Sequence, residues 1–132
     1  MRLCYGKCSM SSIVRPGRRA RGSRSGRPIM VLLDLLGRRM ALRLLWELSL
    51  ARAPLTFRAL QTAAETNPSV LNSRLRELRA ACIVEHVSGG YQLSATGGAL
   101  VAMILPLHAW AERWAAALKS TRRALPRAPR KT

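Results

Sequence analysis

The apolar positions of the chain fall into blocks of changing period, and each block predicts one element. Ile29 to Leu36 (IMVLLDLL) is a short apolar run that reads as a helix, with Gly37 placed to stop it. From Met40 to Leu50, Leu44, Leu45, Leu48 and the ring of Trp46 form a broad apolar surface, and Arg43 and Glu47 stand at i, i+4. Ala53 and Pro54 end this second helix, and Leu55 reads as a one-residue remnant of a strand. Thr56 suits the N-cap of a helix over Phe57 to Ala64, in which Phe57, Leu60 and Ala64 share a face. Glu65 and Thr66 make a turn. Asn67 then caps, and Pro68 opens, a helix running from Pro68 to about Ala81. Its predicted buried stripe is Leu71, Leu75, Leu78 and Cys82.

Beyond this helix the period drops to two. Ile83 to Ser88 (IVEHVS) alternates as a strand, Gly89-Gly90 is placed as a two-residue hairpin turn, and Tyr91 to Leu93 return as a second strand. Ser94 or Thr96 caps a final long helix that reaches about Leu118, with a kink expected at Pro106. The predicted fold is therefore mainly α with a small β-hairpin. Its element order is that of a winged helix-turn-helix with a long C-terminal helix.

In that plan the second helix of the pair enters the major groove and reads base edges with residues near its N-terminus. Here the face opposite the leucines offers Ser69, Asn72, Ser73 and Arg76 for base readout. Asn pairs bidentately with adenine and Arg with guanine, each worth roughly 1–3 kcal/mol of discrimination. Arg38, Arg39, Arg58 and Arg74 are expected to meet phosphates, and the free N–H groups at Pro68 to Val70 suit a further one. The bland alternative for these residues is a solubilising helix face. What argues against it is that the helix pair runs straight into a hairpin and keeps one face free of large apolar groups.

These stretches resemble the HxlR family of bacterial winged-helix regulators. The resemblance runs from about Val31 to Leu118. It is carried by LLDLLGRRMALRLLWELS, by LTFRALQTAAETNPSVLNSRLRELRAACIVEH, by YQLSATGGAL and by LHAWAERW, and the middle stretch is the most specific. Phe57, Leu60, Leu71, Leu75, Arg76, Leu78 and Ile83-Val84 stand where the family pattern puts them. The resemblance implies transcriptional control through double-stranded DNA, and dimerisation through the first and last helices. Leu32, Leu36, Leu107, Trp110 and Trp114 are the residues expected at that homodimer interface. Three departures stand out. Gly37-Arg38-Arg39-Met40 lacks the family's tryptophan, the wing tip carries no charge, and Cys82 replaces a helix-ending glycine. The short wing keeps MarR-like and ArsR-like regulators within reach.

Charge adds a second layer to this picture. The 132-residue chain has a formal net charge of +17. Residues 1–28 hold eight cations and no acid, and residues 119–132 hold six cations and no acid. The tails thus carry +14, and residues 29–118, with nine Arg against six acids, carry +3. The expected organisation is a disordered basic arm (1–28), a domain with its dimerisation helices (29–118) and a disordered basic tail (119–132). Such tails suit a polyanion. They open a different reading, a non-specific RNA- or ribosome-associated protein acting through its tails. A third reading is a winged-helix module that binds protein rather than DNA.

Other chemistry is thin. There is no paired carboxylate site, Ser/His/Asp set or P-loop, so no enzyme, cofactor or metal is expected. Cys4 and Cys8, at C-x3-C spacing beside Arg2 and Lys7, form a possible redox sensor, because nearby cations favour the thiolate. Some members of the resembled family sense electrophiles through an N-terminal cysteine. With Cys82 they make an odd, sparse set of three that suits a reducing cytosol. No segment reaches the ~20 apolar residues of a membrane span, and the basic N-terminus lacks the apolar stretch of a secretory signal. A bacterial cytoplasmic, nucleoid-associated protein is the expectation.

Overall fold

The structure, a computed structural model, describes residues 26–124. The elements are α1 (Pro28–Leu36), α2 (Ala41–Leu50), α3 (Phe57–Ala64), α4 (Pro68–Ala80), β1 (Val84–Val87), β2 (Gly90–Leu93), α5 (Ala95–Ile104) and α6 (Pro106–Ala124). They form two compact units, divided between Val101 and Ala102 within α5.

The first unit is built on leucine. Leu35, Leu44, Leu45, Leu60, Leu71 and Leu78 are fully buried, drawn from α1, α2, α3 and α4. Each such side chain contributes roughly 1.5–3 kcal/mol relative to leaving it exposed. Side-chain caps fix where two of the helices begin. Thr56 Oγ1 accepts from the Ala59 N–H at 3.2 Å at the start of α3, and Asn67 Oδ1 accepts from the Val70 N–H at 2.9 Å at the start of α4. Between them Glu65 takes a left-handed conformation (φ 53°) that ends α3 and turns the chain.

β1 and β2 pair antiparallel, with Val84 opposite Leu93 and Val87 opposite Gly90. The turn is therefore Ser88-Gly89, one residue earlier than the sequence pattern suggested. The reason lies in Leu55, which exchanges backbone hydrogen bonds with Tyr91 at 2.9 and 2.7 Å as the expected remnant of a third strand. That approach is so close that a Cβ on Gly90 (φ 134°) would lie 2.2 Å from the Leu55 carbonyl oxygen. Gly90 is thus a strand residue shaped by its neighbour, and Gly89 supplies the turn.

α5 begins on a compact polar joint. The Ser94 hydroxyl accepts from the Gly97 N–H at 2.9 Å and donates to the Cys82 carbonyl at 2.6 Å. Gly97 sits where a Cβ would fall 1.9 Å from the Ile83 carbonyl oxygen, so this helix start lies directly against the entry to β1.

Gly37 ends α1 as expected, in a right-handed conformation, and the left-handed residue before α2 is Met40 (φ 71°). Three local features depart from the sequence pattern. Cys82 (φ 58°) is exposed and left-handed, not part of the buried stripe. It stands where the resembled family places glycine, and it fulfils the same geometric role at a steric cost of roughly 1–2 kcal/mol. Pro106 does not kink one long helix but starts a new one. It has no N–H to bond backwards and its ring crowds the carbonyl a turn earlier, so Leu105 separates α5 from α6. Finally, α6 continues past Leu118 to Ala124, into the segment expected to be a loose tail.

The second unit consists of the end of α5 and α6. No residue of α6 is buried. Trp110 and Trp114 stack on each other with centroids 5.7 Å apart and planes 15° from parallel.

Candidate nucleic-acid interface

Helix α4 owes its orientation to its two faces. Leu71, Leu75 and Leu78 are 0–2% exposed and anchor it to the first unit. A helical repeat of 3.6 residues then places Ser69, Asn72, Ser73 and Arg76 on the opposite side, and all of these are exposed. Pro68 at the first helical position brings no N–H and the Val70 N–H is capped by Asn67, so what the start of α4 offers an anion is chiefly the positive end of the helix dipole. The assembled face thus combines short hydrogen-bonding groups, one amide and a guanidinium on a rigid helix. That chemistry matches base edges and phosphate oxygens.

Of the arginines expected to meet phosphate, the structure separates two kinds. Arg39 and Arg58 are exposed. Arg38 and Arg74 are not free for that role. Arg38 binds Asp34 at 3.0 Å and Glu77 at 2.8 Å, and Arg74 binds the other oxygen of Glu77 at 2.7 Å. Their side chains are only 18–19% exposed. Burial alone would lower the Arg38 pKa, but its hydrogen bonds and charge attraction to Asp34 and Glu77 outweigh that and raise it, so Arg38 is charged at any working pH. The phosphate assignment for these two is corrected accordingly: they join α1 and the following turn to the flank of α4. A separate tie positions α3, where Arg43 donates to the Ala63 carbonyl at 3.0 Å and pairs with Glu47 at 2.8 Å.

The wing is short and its tip is uncharged. Gln92 donates to Glu85 across the strands at 2.7 Å, and the His86 ring lies 4.7 Å from that of Tyr91. His86 is exposed beside the hairpin.

The residues assigned to a dimer interface also divide. Leu107, Trp110 and Trp114 on α6 are all more than half exposed. On α1, Leu32 and Leu36 are half-buried, and the apolar side chains that reach solvent are Ile29 and Leu33. Cys4 and Cys8 lie outside the described residues. Cys82, read from the sequence as one of a sparse set in a reducing compartment, is disulfide-bonded. Among the described residues no cluster of His, Cys, Asp and Glu could hold a metal ion, and no helix is long and apolar enough to cross a membrane.

No family model and no curated protein matches the chain. A solved structure does. The crystal structure of quinone-bound YodB from B. subtilis is similar to it with a TM-score of 0.57 and 29% sequence identity, over 64% of this chain and 96% of that one. The fold is a winged helix-turn-helix.

Two features of the interface were missed in the sequence. Glu77 was given no role, because nothing local reveals that it receives an arginine from the turn after α1. Ile29 and Leu33 were passed over in favour of Leu32 and Leu36, because a uniformly apolar run does not show which face turns inward.

Proposed function

We propose that the chain is a DNA-binding transcriptional regulator of HxlR-like type that binds operator DNA as a homodimer. The observation that carries this reading is α4, a helix pinned by buried leucines with Ser69, Asn72, Ser73 and Arg76 open to solvent. The winged-helix neighbour supports the same general role. In this reading Asn72 and Arg76 read base edges, aided by Ser69 and Ser73, while Arg39, Arg58 and the helix N-terminus hold phosphates. The basic segments at both ends of the sequence add sequence-independent attraction through counterion release. The exposed apolar side chains of α6 and of α1 (Ile29, Leu33) meet a second copy. A twofold dimer sets two recognition helices ~34–36 Å apart and calls for a near-palindromic operator.

Cys4 and Cys8 belong to this reading as the sensing cysteines, with the disulfide at Cys82 leaving one of them as a free thiol. The similar structure was solved with a quinone bound, and quinones are electrophiles that thiolates attack. Exposure to a quinone should then change operator affinity in the wild type and not in Cys4→Ser/Cys8→Ser.

The experiment that tests the main claim is selection of duplexes from a random pool by the full-length protein. A near-palindromic consensus is the expected result. A pool that never enriches would favour the protein-interaction reading. Removal of residues 1–27 and 125–132 separates the reading from tail-driven nucleic-acid binding: sequence preference should survive with weaker affinity, whereas loss of all binding would favour the tails as the binding element.

A further inference from the structure

The arginines around α4 are not equivalent, and one acid makes them so. Glu77 offers one oxygen to Arg38 and the other to Arg74, at 2.8 and 2.7 Å. Asp34 holds Arg38 from the other side at 3.0 Å. The carboxylates are 12% exposed, so these pairs are shielded from the water and salt that weaken surface ion pairs. Arg74 lies one residue from Ser73 and two from Arg76, on the flank of the face assigned to DNA. An unpaired guanidinium there would reach for the nearest phosphate, adding affinity that carries no sequence information.

We propose that Glu77 is a positioning residue that keeps Arg74 and Arg38 off the DNA backbone, so that neither adds to the charge α4 presents to the groove. This rests on the DNA-binding reading above. The two arginines are held unequally. Arg38 has a second acid in Asp34. Among the described residues, Arg74 has Glu77 alone as its hydrogen-bonded partner, and its buried Nε–H has no acceptor. Loss of the Glu77 charge therefore releases Arg74 and leaves Arg38 paired.

The test is the salt dependence of binding to a duplex of random sequence, using the full-length protein. Each phosphate contact adds about 0.9 to the slope of log affinity against log salt. Glu77→Gln should steepen the slope by about 0.9, which is a further ~3.5-fold loss of affinity over a fourfold rise in salt. The double variant Glu77→Gln/Arg74→Gln should return the slope to the wild-type value, a rescue that a merely structural role would not give. Arg74→Gln alone should leave the slope unchanged. This arm decides the matter even if Glu77→Gln folds poorly. A slope that flattens by about 0.9 in Arg74→Gln would mean that Arg74 already touches phosphate and would overturn the proposal. So would an unchanged slope in a folded Glu77→Gln. Failure of the wild type to bind any duplex would instead remove the DNA-binding reading, and the proposal with it.

Discussion

Helices α4 and α6 carry the same kind of pattern to opposite ends. In α4, Leu71, Leu75 and Leu78 recur at helical spacing and are 0–2% exposed. In α6, Leu107, Trp110, Trp114 and Leu118 recur at the same spacing and are 49–56% exposed. Periodicity alone cannot tell these apart, because it reports that a helix has an apolar side and not what covers it. The α4 stripe finds its complement within the first unit, which frees its polar side for a ligand. The α6 stripe has none within α6, and two stacked indoles in water are costly enough to call for a partner. In the proposed function one helix is a surface for recognition and the other a surface for assembly.

The comparison is sharpest where it predicts unequal costs. Leu78→Ala should destabilise the chain by roughly 2–5 kcal/mol in urea unfolding, at any protein concentration. Leu118→Ala should act only through self-association, so that its effect depends on concentration. Equal, concentration-independent losses would break the contrast. Next in size is Trp110→Ala/Trp114→Ala. If each indole is an interface anchor worth about 2 kcal/mol, each loss weakens the dimer on the order of 30-fold in sedimentation equilibrium. An unchanged dimer would move assembly away from α6. Gly97→Ala should cost roughly 1–3 kcal/mol in thermal unfolding, since its Cβ meets backbone that cannot easily yield. Smallest is Asn67→Ala, at about 1 kcal/mol, through loss of the cap that starts α4.

The sequence was most legible where a local rule settled the structure. Thr56 and Asn67-Pro68 marked the starts of α3 and α4, and Leu55 was rightly read as a strand remnant, because caps, proline and periodicity act within a few residues. It was least legible where distant groups decide. The turn moved to Ser88-Gly89 because Leu55 crowds Gly90, and Arg38 lost its expected role because Glu77 reaches it across the fold. Cys82 is instructive: its place on the leucine spacing pointed inward, while its stance in place of a glycine pointed to the left-handed backbone that the structure shows. Pro106 was recognised as a disruption, but its strength was underestimated. The polar face of α4 was legible as a pattern, though which of its neighbouring arginines are available was not.

The account turns on α4 reading bases. Its most direct test is a titration of a selected duplex, and of a scrambled one, with the wild type and with Asn72→Ala/Arg76→Ala. Both side chains are exposed, so the double variant should melt like the wild type. Loss of bidentate contacts worth roughly 1–3 kcal/mol each should cut affinity for the selected duplex at least ~10-fold while barely changing that for the scrambled one. A folded double variant that still prefers the selected duplex as strongly as the wild type would contradict it.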